Sequence, residues 1–308
     1  MLSVLDGVRV GLVATWLASA VFVHFRGRVR HPFLRQLVDH STFLAPYNAL
    51  VFLFSKVRGR RFVDVAELPQ LAPLAANWRA IRDEALRLHE AERLRASDSK
   101  NDIAFNTFFR RGWKRFYLKW YDAFLPSAEA LCPETVALVR SIPSVNAALF
   151  AYLPPGGKLG EHRDPFAGAL RYHLGLVTPN SDACRIYVDG EPYAWRDGEA
   201  VVFDETFVHS VRNETDQGRI VLFCDVERPL AQPMRSVNRF VARHLVRATA
   251  TDNEPGERVG IVNRVAGRLQ AFKEAMNRLK HRNKPLYRVV KFLVLGGIVW
   301  LIGVQPFL

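Results

Sequence analysis

Two histidines, an aspartate and three further basic side chains are where this sequence can do chemistry. In EHRDPFAGALRYHLGL, Glu161 to Leu176, His162 and Asp164 stand two residues apart. Residues i and i+2 of an extended chain point to the same side, and Pro165 biases Asp164 towards the extended region. The pair can therefore converge on one point. His209, in the strand-like stretch FVHSV, can supply a third ligand. Two imidazoles and a carboxylate form the facial set that leaves three positions of an octahedral iron open. The same three groups can hold zinc, and surface histidines at loop ends are the plainer alternative. Arg219 opens the strand-like RIVLFCDV. A buried arginine there can fork onto a carboxylate bidentately, which suits a keto acid chelating the metal. Arg171 and His173, again two apart, face one side of LRYHLGL. They read either as further donors or as the polar face of a half-exposed strand.

Short strands have to position these groups. From Val145 to Asp225 the chain runs VNAALFAYL, a turn at Pro154-Pro155-Gly156-Gly157, LRYHLGLV, CRIYV, turns at Asp189-Gly190 and Asp197-Gly198, AVVFD, FVHSV and RIVLFCDV. Such spacing predicts a sandwich or barrel, with no βαβ alternation. Upstream, Leu74 to Arg95 predicts one amphipathic helix, with Leu74, Trp78, Ile81, Ala85 and Leu88 on its apolar face. The dense aromatics of Phe105 to Phe124, including Trp113 and Trp120, read as core or as the lining of an active-site mouth.

The flanks are different in kind. Val10 to Val23 is uncharged, and Arg26, Arg28 and Arg30 follow it at once. Extended by its neighbours it approaches the length of a membrane span, and basic flanks stay cytoplasmic. A signal peptide with Ala18-Ser19-Ala20 as cleavage site is the rival, weakened by Asp6 where a basic region belongs. Phe292 to Leu308 is likewise uncharged and preceded by basic residues; it reads as a second membrane segment or an inserted hairpin, against a buried core helix. Both basic flanks face inward, so the body is expected on the cytoplasmic side. Phe43 to Phe54, broken by Pro46 and Asn48, reads as interfacial or as a buried helix. Arg235, Arg239, Arg243 and Arg247 fall four apart, a helical stripe suited to anionic headgroups or simply to solvent. The formal net charge of +13 calls for anionic company, and with two apolar ends and no nucleic-acid motif a membrane surface fits better than nucleic acid. Three widely spaced cysteines, Cys132, Cys184 and Cys224, form no CxxC pair and exclude a disulfide framework.

The blocks EHRDPFAGALRYHLGL, WRDGEAVVFDETFVHSV and RIVLFCDVERP, within Asn146 to Pro229, resemble the aspartyl/asparaginyl β-hydroxylase family of iron(II)- and 2-oxoglutarate-dependent dioxygenases. HPFLRQLVDHSTFLAPYNALVFLFSKV, His31 to Val57, is similar to the membrane-proximal segment of bacterial lipid A 2-hydroxylases of that family. The resemblance implies a double-stranded β-helix, a jelly-roll, with flanking helices and terminal membrane segments. It implies iron(II) on His162 and His209, Arg219 on the tail carboxylate of 2-oxoglutarate, Arg171 and His173 helping to hold that cosubstrate, and Trp120 as an upstream pocket tryptophan. Dioxygen is the second cosubstrate. Asp164 matches the lipid-modifying branch; the peptide-hydroxylating branch lacks it. The expectation is hydroxylation at carbon 2 of an acyl chain of lipid A or a precursor, at the bacterial inner membrane with the catalytic domain facing the cytoplasm. The divisions expected are an anchor at 1–25, a basic interfacial segment at 26–75, the dioxygenase domain at 76–230, a basic helical region at 231–290 and a membrane segment at 291–308. Hydroxylation of a protein Asp or Asn, a catalytically silent membrane-anchored binding protein, and a zinc hydrolase are the alternatives, the last leaving Arg219 without a task.

Overall fold

The computed structural model describes residues 4–37, 39–94, 112–287, 289–290 and 293. Of the apolar segment Phe292 to Leu308 all but Leu293, and of the aromatic stretch Phe105, Phe108 and Phe109, lie outside the described residues.

Eleven strands among the described residues form two antiparallel sheets. One has seven strands in the order β1-β9-β6-β11-β4-β2-β3; the other has four in the order β5-β10-β7-β8. They are β1 (Phe62–Val63), β2 (Lys114–Trp120), β3 (Ala123–Phe124), β4 (Val145–Leu153), β5 (Lys158–His162), β6 (Ala169–Val177), β7 (Cys184–Val188), β8 (Glu191–Ala194), β9 (Ala200–Phe203), β10 (His209–Asn213) and β11 (Arg219–Glu227). From β4 onward the chain passes back and forth between the sheets, the β7–β8 hairpin counting as one visit. This winding is that of a double-stranded β-helix. Its core joins Leu149, Leu174, Val201 and Phe223 of the large sheet to Ile186 and Val211 of the small one.

Local sequence explains the corners. Asp189 (φ 52°) and Gly190 (φ 86°) close the β7–β8 hairpin, where Val188 pairs with Glu191. Two central residues at positive φ are what a type I′ turn needs. β6 and β11 are buried along nearly their whole length, polar residues Arg171, His173, Arg219 and Asp225 included.

The helices differ from expectation in two places. Leu74 to Arg95 is not one helix. Ala72–Ala76 (α5) ends at Asn77, and Trp78–Glu90 (α6) starts afresh. The anticipated apolar positions Leu74, Ile81, Ala85 and Leu88 are buried all the same. The arginine stripe also behaves differently. The helix Met234–Val241 passes into a π-type turn over Ala242–Val246. Arg239 grips Glu227 with two bonds of 2.9 and 3.0 Å, and Arg243 meets Asp122 at 3.1 Å. Acids on the barrel thus hold part of the stripe, while Val237, Phe240 and Leu245 are exposed.

At the N-terminus α1 (Val4–Phe25) includes an apolar span, Gly7–Phe25, of which 11% is buried. After the short helices α2 (Phe33–Leu37) and α3 (His40–Phe43), α4 (Ala45–Phe54) lies against it. Ala45, Val51 and Phe52 of α4 join Val23, Ala167, Leu230 and Met234 in a second apolar cluster, while Leu50 and Leu53 stay exposed.

Candidate metal and cosubstrate site

His162 closes β5 and His209 opens β10, and the two strands pair with these residues as direct partners. Their ring centroids are 4.0 Å apart. Asp164 follows two residues after His162, and its backbone N–H donates to Glu205 O at 3.0 Å. His162 Nε2 lies 3.7 Å from Asp164 Oδ1. One ligand atom from each of His162, Asp164 and His209 lies within 4.8 Å of the other two, so a single ion can reach all three with small side-chain movements.

The tautomers suit a metal. His162 Nδ1 is 2.8 Å from Gly160 O, and His209 Nδ1 is 3.0 Å from Phe207 O. A carbonyl only accepts, so each Nδ1 carries the hydrogen and each Nε2 keeps its lone pair for a metal. Burial, reinforced by the neighbouring His162, pushes His209 down to about 3, so it stays neutral at ordinary pH. Burial pushes Asp164 up, but Arg171 and the two histidines outweigh it and hold the carboxyl down at about 2. Two neutral imidazoles and one carboxylate therefore meet at one point, ready as donors.

Arg219 lies deeper. It is fully buried, and none of its three guanidinium nitrogens has a hydrogen-bond partner among the described residues. Its faces are covered by Trp195, 4.1 Å from the guanidinium carbon, and by Trp113 at 5.4 Å. Burial alone brings it down to about 10, still charged at neutral pH. A buried guanidinium without an anion costs several kcal/mol; a carboxylate ligand would remove that cost with a forked bond. His173 sits between Arg219 and the metal ligands. Both its ring nitrogens are buried without a partner, and burial together with Arg219 holds it neutral. A small cavity of about 40 Å³ is lined among others by His162, Asp164, His173, His209 and Trp113; Arg219 and Trp195 are not in its lining.

Arg171 lines the same pocket, but its donors are committed. It meets Asp164 at 2.9 Å, Asp225 at 3.0 Å, and Glu205. Tyr121 Oη donates to the other oxygen of Asp225 at 3.0 Å. Arg171 thus braces a metal-ligand candidate from behind. Three acids around one arginine leave excess negative charge, and burial drives Glu205 and Asp225 up despite that arginine. Trp120 does not join the site. It ends β2, its indole N–H donates to Val246 O at 3.3 Å, and it packs on Tyr117 and Tyr121. Trp113, just before β2, is the tryptophan in the pocket.

Four contributors escape sequence reasoning: Glu205, Asp225, Trp195 and Trp113 in this role. The acid inside RIVLFCDV was a usable signal, since an acid in a fully apolar strand needs a partner. Nothing in the spacing reports Glu205 or Trp195, while Trp113 lies in the aromatic stretch that reads as core or as mouth lining.

The family model for aspartyl/asparaginyl β-hydroxylase matches residues 75–229. The ornithine lipid ester-linked acyl 2-hydroxylase of Rhizobium tropici is 35% identical over 194 residues, covering 62% of this chain and 69% of that protein. Human aspartyl/asparaginyl β-hydroxylase is 28% identical over 169 residues, 53% of this chain but only 21% of its own length. Among solved structures, a prolyl-4-hydroxylase from Pseudomonas putida aligns over 50% of this chain and 87% of its own, with 20% identity and a TM-score of 0.33. The chain belongs to the aspartyl/asparaginyl β-hydroxylase family.

Proposed function

We propose that the protein is an iron(II)- and 2-oxoglutarate-dependent hydroxylase acting on carbon 2 of an acyl chain of a membrane lipid. Arg219 is the observation that carries this reading: three buried donors without a partner among the described residues, in the same barrel core whose cavity gathers His162, Asp164 and His209. That pairing suits a ligand with a metal-chelating end and a carboxylate tail. Bound iron would supply dioxygen activation coupled to decarboxylation of the keto acid. The chain's own residues do the rest. His162, Asp164 and His209 would hold the ion through Nε2, a carboxylate oxygen and Nε2. Arg219 would anchor the tail, with Trp195 and Trp113 fixing the guanidinium plane and excluding water. His173, neutral and without a partner among the described residues, would donate one hydrogen bond to the cosubstrate. Arg171, through Asp164, keeps the carboxylate turned towards the ion.

The lipid reading rests on Asp164, on the apolar helix α1 beside the site, and on the Rhizobium relative, named for its action on a lipid acyl chain. Lipid A is the headgroup expected from the sequence; ornithine lipid is the second candidate, favoured by that relative's name. A cytoplasmic-facing body at the inner membrane would have ready access to 2-oxoglutarate. The test is mass spectrometry of lipid A and ornithine lipid fractions from cells expressing wild type or His209→Ala. A one-oxygen gain on an acyl chain in one fraction, absent in the variant, is expected. No gain in either fraction, with 2-oxoglutarate turnover on a protein Asp or Asn instead, would overturn the lipid assignment.

A further inference from the structure

Arg163 stands between two of the three metal-ligand candidates, and its side chain goes the other way. Its Nη1 donates to Val23 O at 2.7 Å and its Nη2 to His24 O at 3.5 Å. These are carbonyls in the last turn of α1. The final carbonyls of a helix have no partner within it and carry its negative dipole end. A guanidinium there is a C-terminal cap of unusual origin, reaching in from a distant part of the chain. Arg163 is 3% exposed, and its Nε finds no partner among the described residues. Apart from its packing on α4, the helix is buried mainly near this end, where Val23 joins Ala167 and Leu230, while 11% of its apolar span is buried. The grip is therefore concentrated where the helix ends.

We infer that Arg163 is a positioning residue that ties the end of α1 to the metal site, so that each holds the other in place. The inference rests on the metal assignment above. Neighbouring contacts lead the same way. Arg35 donates to Glu161 O at 2.6 Å, one residue before His162. Asn48 of α4 receives the Ala167 N–H at 3.1 Å and donates to Pro165 O at 2.9 Å, just after Asp164. Arg26, one residue beyond α1, bonds Asp204 and Thr206 on either side of Glu205. The backbone around His162 and Asp164 is thus held from the N-terminal apolar unit. In an extended segment the middle residue sets the orientation of both neighbours, so a shift of Arg163 turns His162 and Asp164 together.

The experiment uses the full chain in phosphatidylcholine nanodiscs, with cobalt(II) as the metal probe. Arg163→Ala is expected to weaken cobalt binding about 10–100-fold and to alter the visible absorption of the bound cobalt. Arg163→Gln, which keeps a donor and much of the volume, is expected to fall between. Hydrogen exchange supplies a readout that simple destabilisation would not move. Cobalt should slow exchange over residues 24–30 in the wild type, and this metal-dependent difference should vanish in Arg163→Ala. Wild-type cobalt affinity in either folded variant, or a retained cobalt effect on residues 24–30, would overturn the inference. If Arg163→Ala does not fold, Arg163→Gln decides on the same two readouts. Failure of the wild type itself to bind cobalt would instead overturn the metal assignment, and the inference with it.

Discussion

Arg219 is a side chain that folding alone does not explain. A fully buried guanidinium facing two indoles and, among the described residues, no anion destabilises the free protein, so its burial makes sense through a ligand. Arg219→Met should therefore abolish 2-oxoglutarate binding in calorimetric titration while raising stability by about 1–3 kcal/mol. Loss of binding with loss of stability would say that the arginine is structural. The histidines set a second expectation. His162, His173 and His209 are held below their ordinary value chiefly by burial, His209 to about 3. A histidine depressed in the folded state binds its proton in the unfolded state first, so stability falls as pH drops through the ordinary value of 6.5. The chelator-treated protein should lose stability between pH 7 and pH 4. His209→Gln should flatten that slope by up to about 1.4 kcal/mol per pH unit, as read by urea unfolding at each pH. An unchanged slope would mean that His209 is solvated without metal. At this scale the candidate ligands were legible in part: residue type and an i, i+2 spacing pointed to His162 and Asp164, while His209, in a distant strand, was one possible third ligand. The place of Trp120 was not legible, because which of two tryptophans seven positions apart enters the pocket depends on where β2 begins.

The β9–β10 connection is the element on which the site turns. It carries Glu205, precedes His209, and is anchored by Asp204, which is fully buried between Arg228, at 2.8 Å, and Arg26. Burial pushes the Asp204 carboxyl up, but the two arginines outweigh it and keep it ionised below the usual carboxylate range. Asp204→Asn leaves Arg228 and Arg26 without a countercharge in a dry site. It should cost about 3–5 kcal/mol in urea unfolding and loosen metal binding. A cost near zero would show that the loop is held by its backbone alone. The strands themselves were readable, turns included, because Asp189-Gly190 and its like impose positive φ. The pairing of His162 with His209 was not, since register between distant strands follows from packing around the core.

For the whole molecule, the apolar N-terminal unit is part of the active-site architecture. α1 exposes Leu12 and Leu17 while its end is gripped by Arg163, an arrangement that suits a helix in lipid with a barrel at its foot. Leu12→Asp with Leu17→Asp places two charges in that span, at about 2.5–3.5 kcal/mol each in a membrane centre. The double variant should pass into the soluble fraction on alkaline extraction, where the wild type stays with the membrane. Equal behaviour of the two proteins would remove α1 as an anchor. The exposed Val237, Phe240 and Leu245 belong to a helix whose arginines were expected to meet headgroups. Acids on the barrel meet three of them, Arg235 and Arg239 on Glu227 and Arg243 on Asp122, and all three stay exposed.

Composition, short strands, turn residues and the His-x-Asp spacing pointed, without coordinates, to a β-rich core, a candidate set of metal ligands and an apolar N-terminal helix. These are local properties, set by side-chain type, backbone preference and periodicity. Tertiary structure alone decided that Arg171 braces Asp164 against two more acids, that Trp113 and Trp195 rather than Trp120 flank Arg219, and that Arg163 reaches back to the end of α1. Each of these joins parts of the chain far apart in sequence, and a contact of that kind exists only once the sheets have closed around a common core.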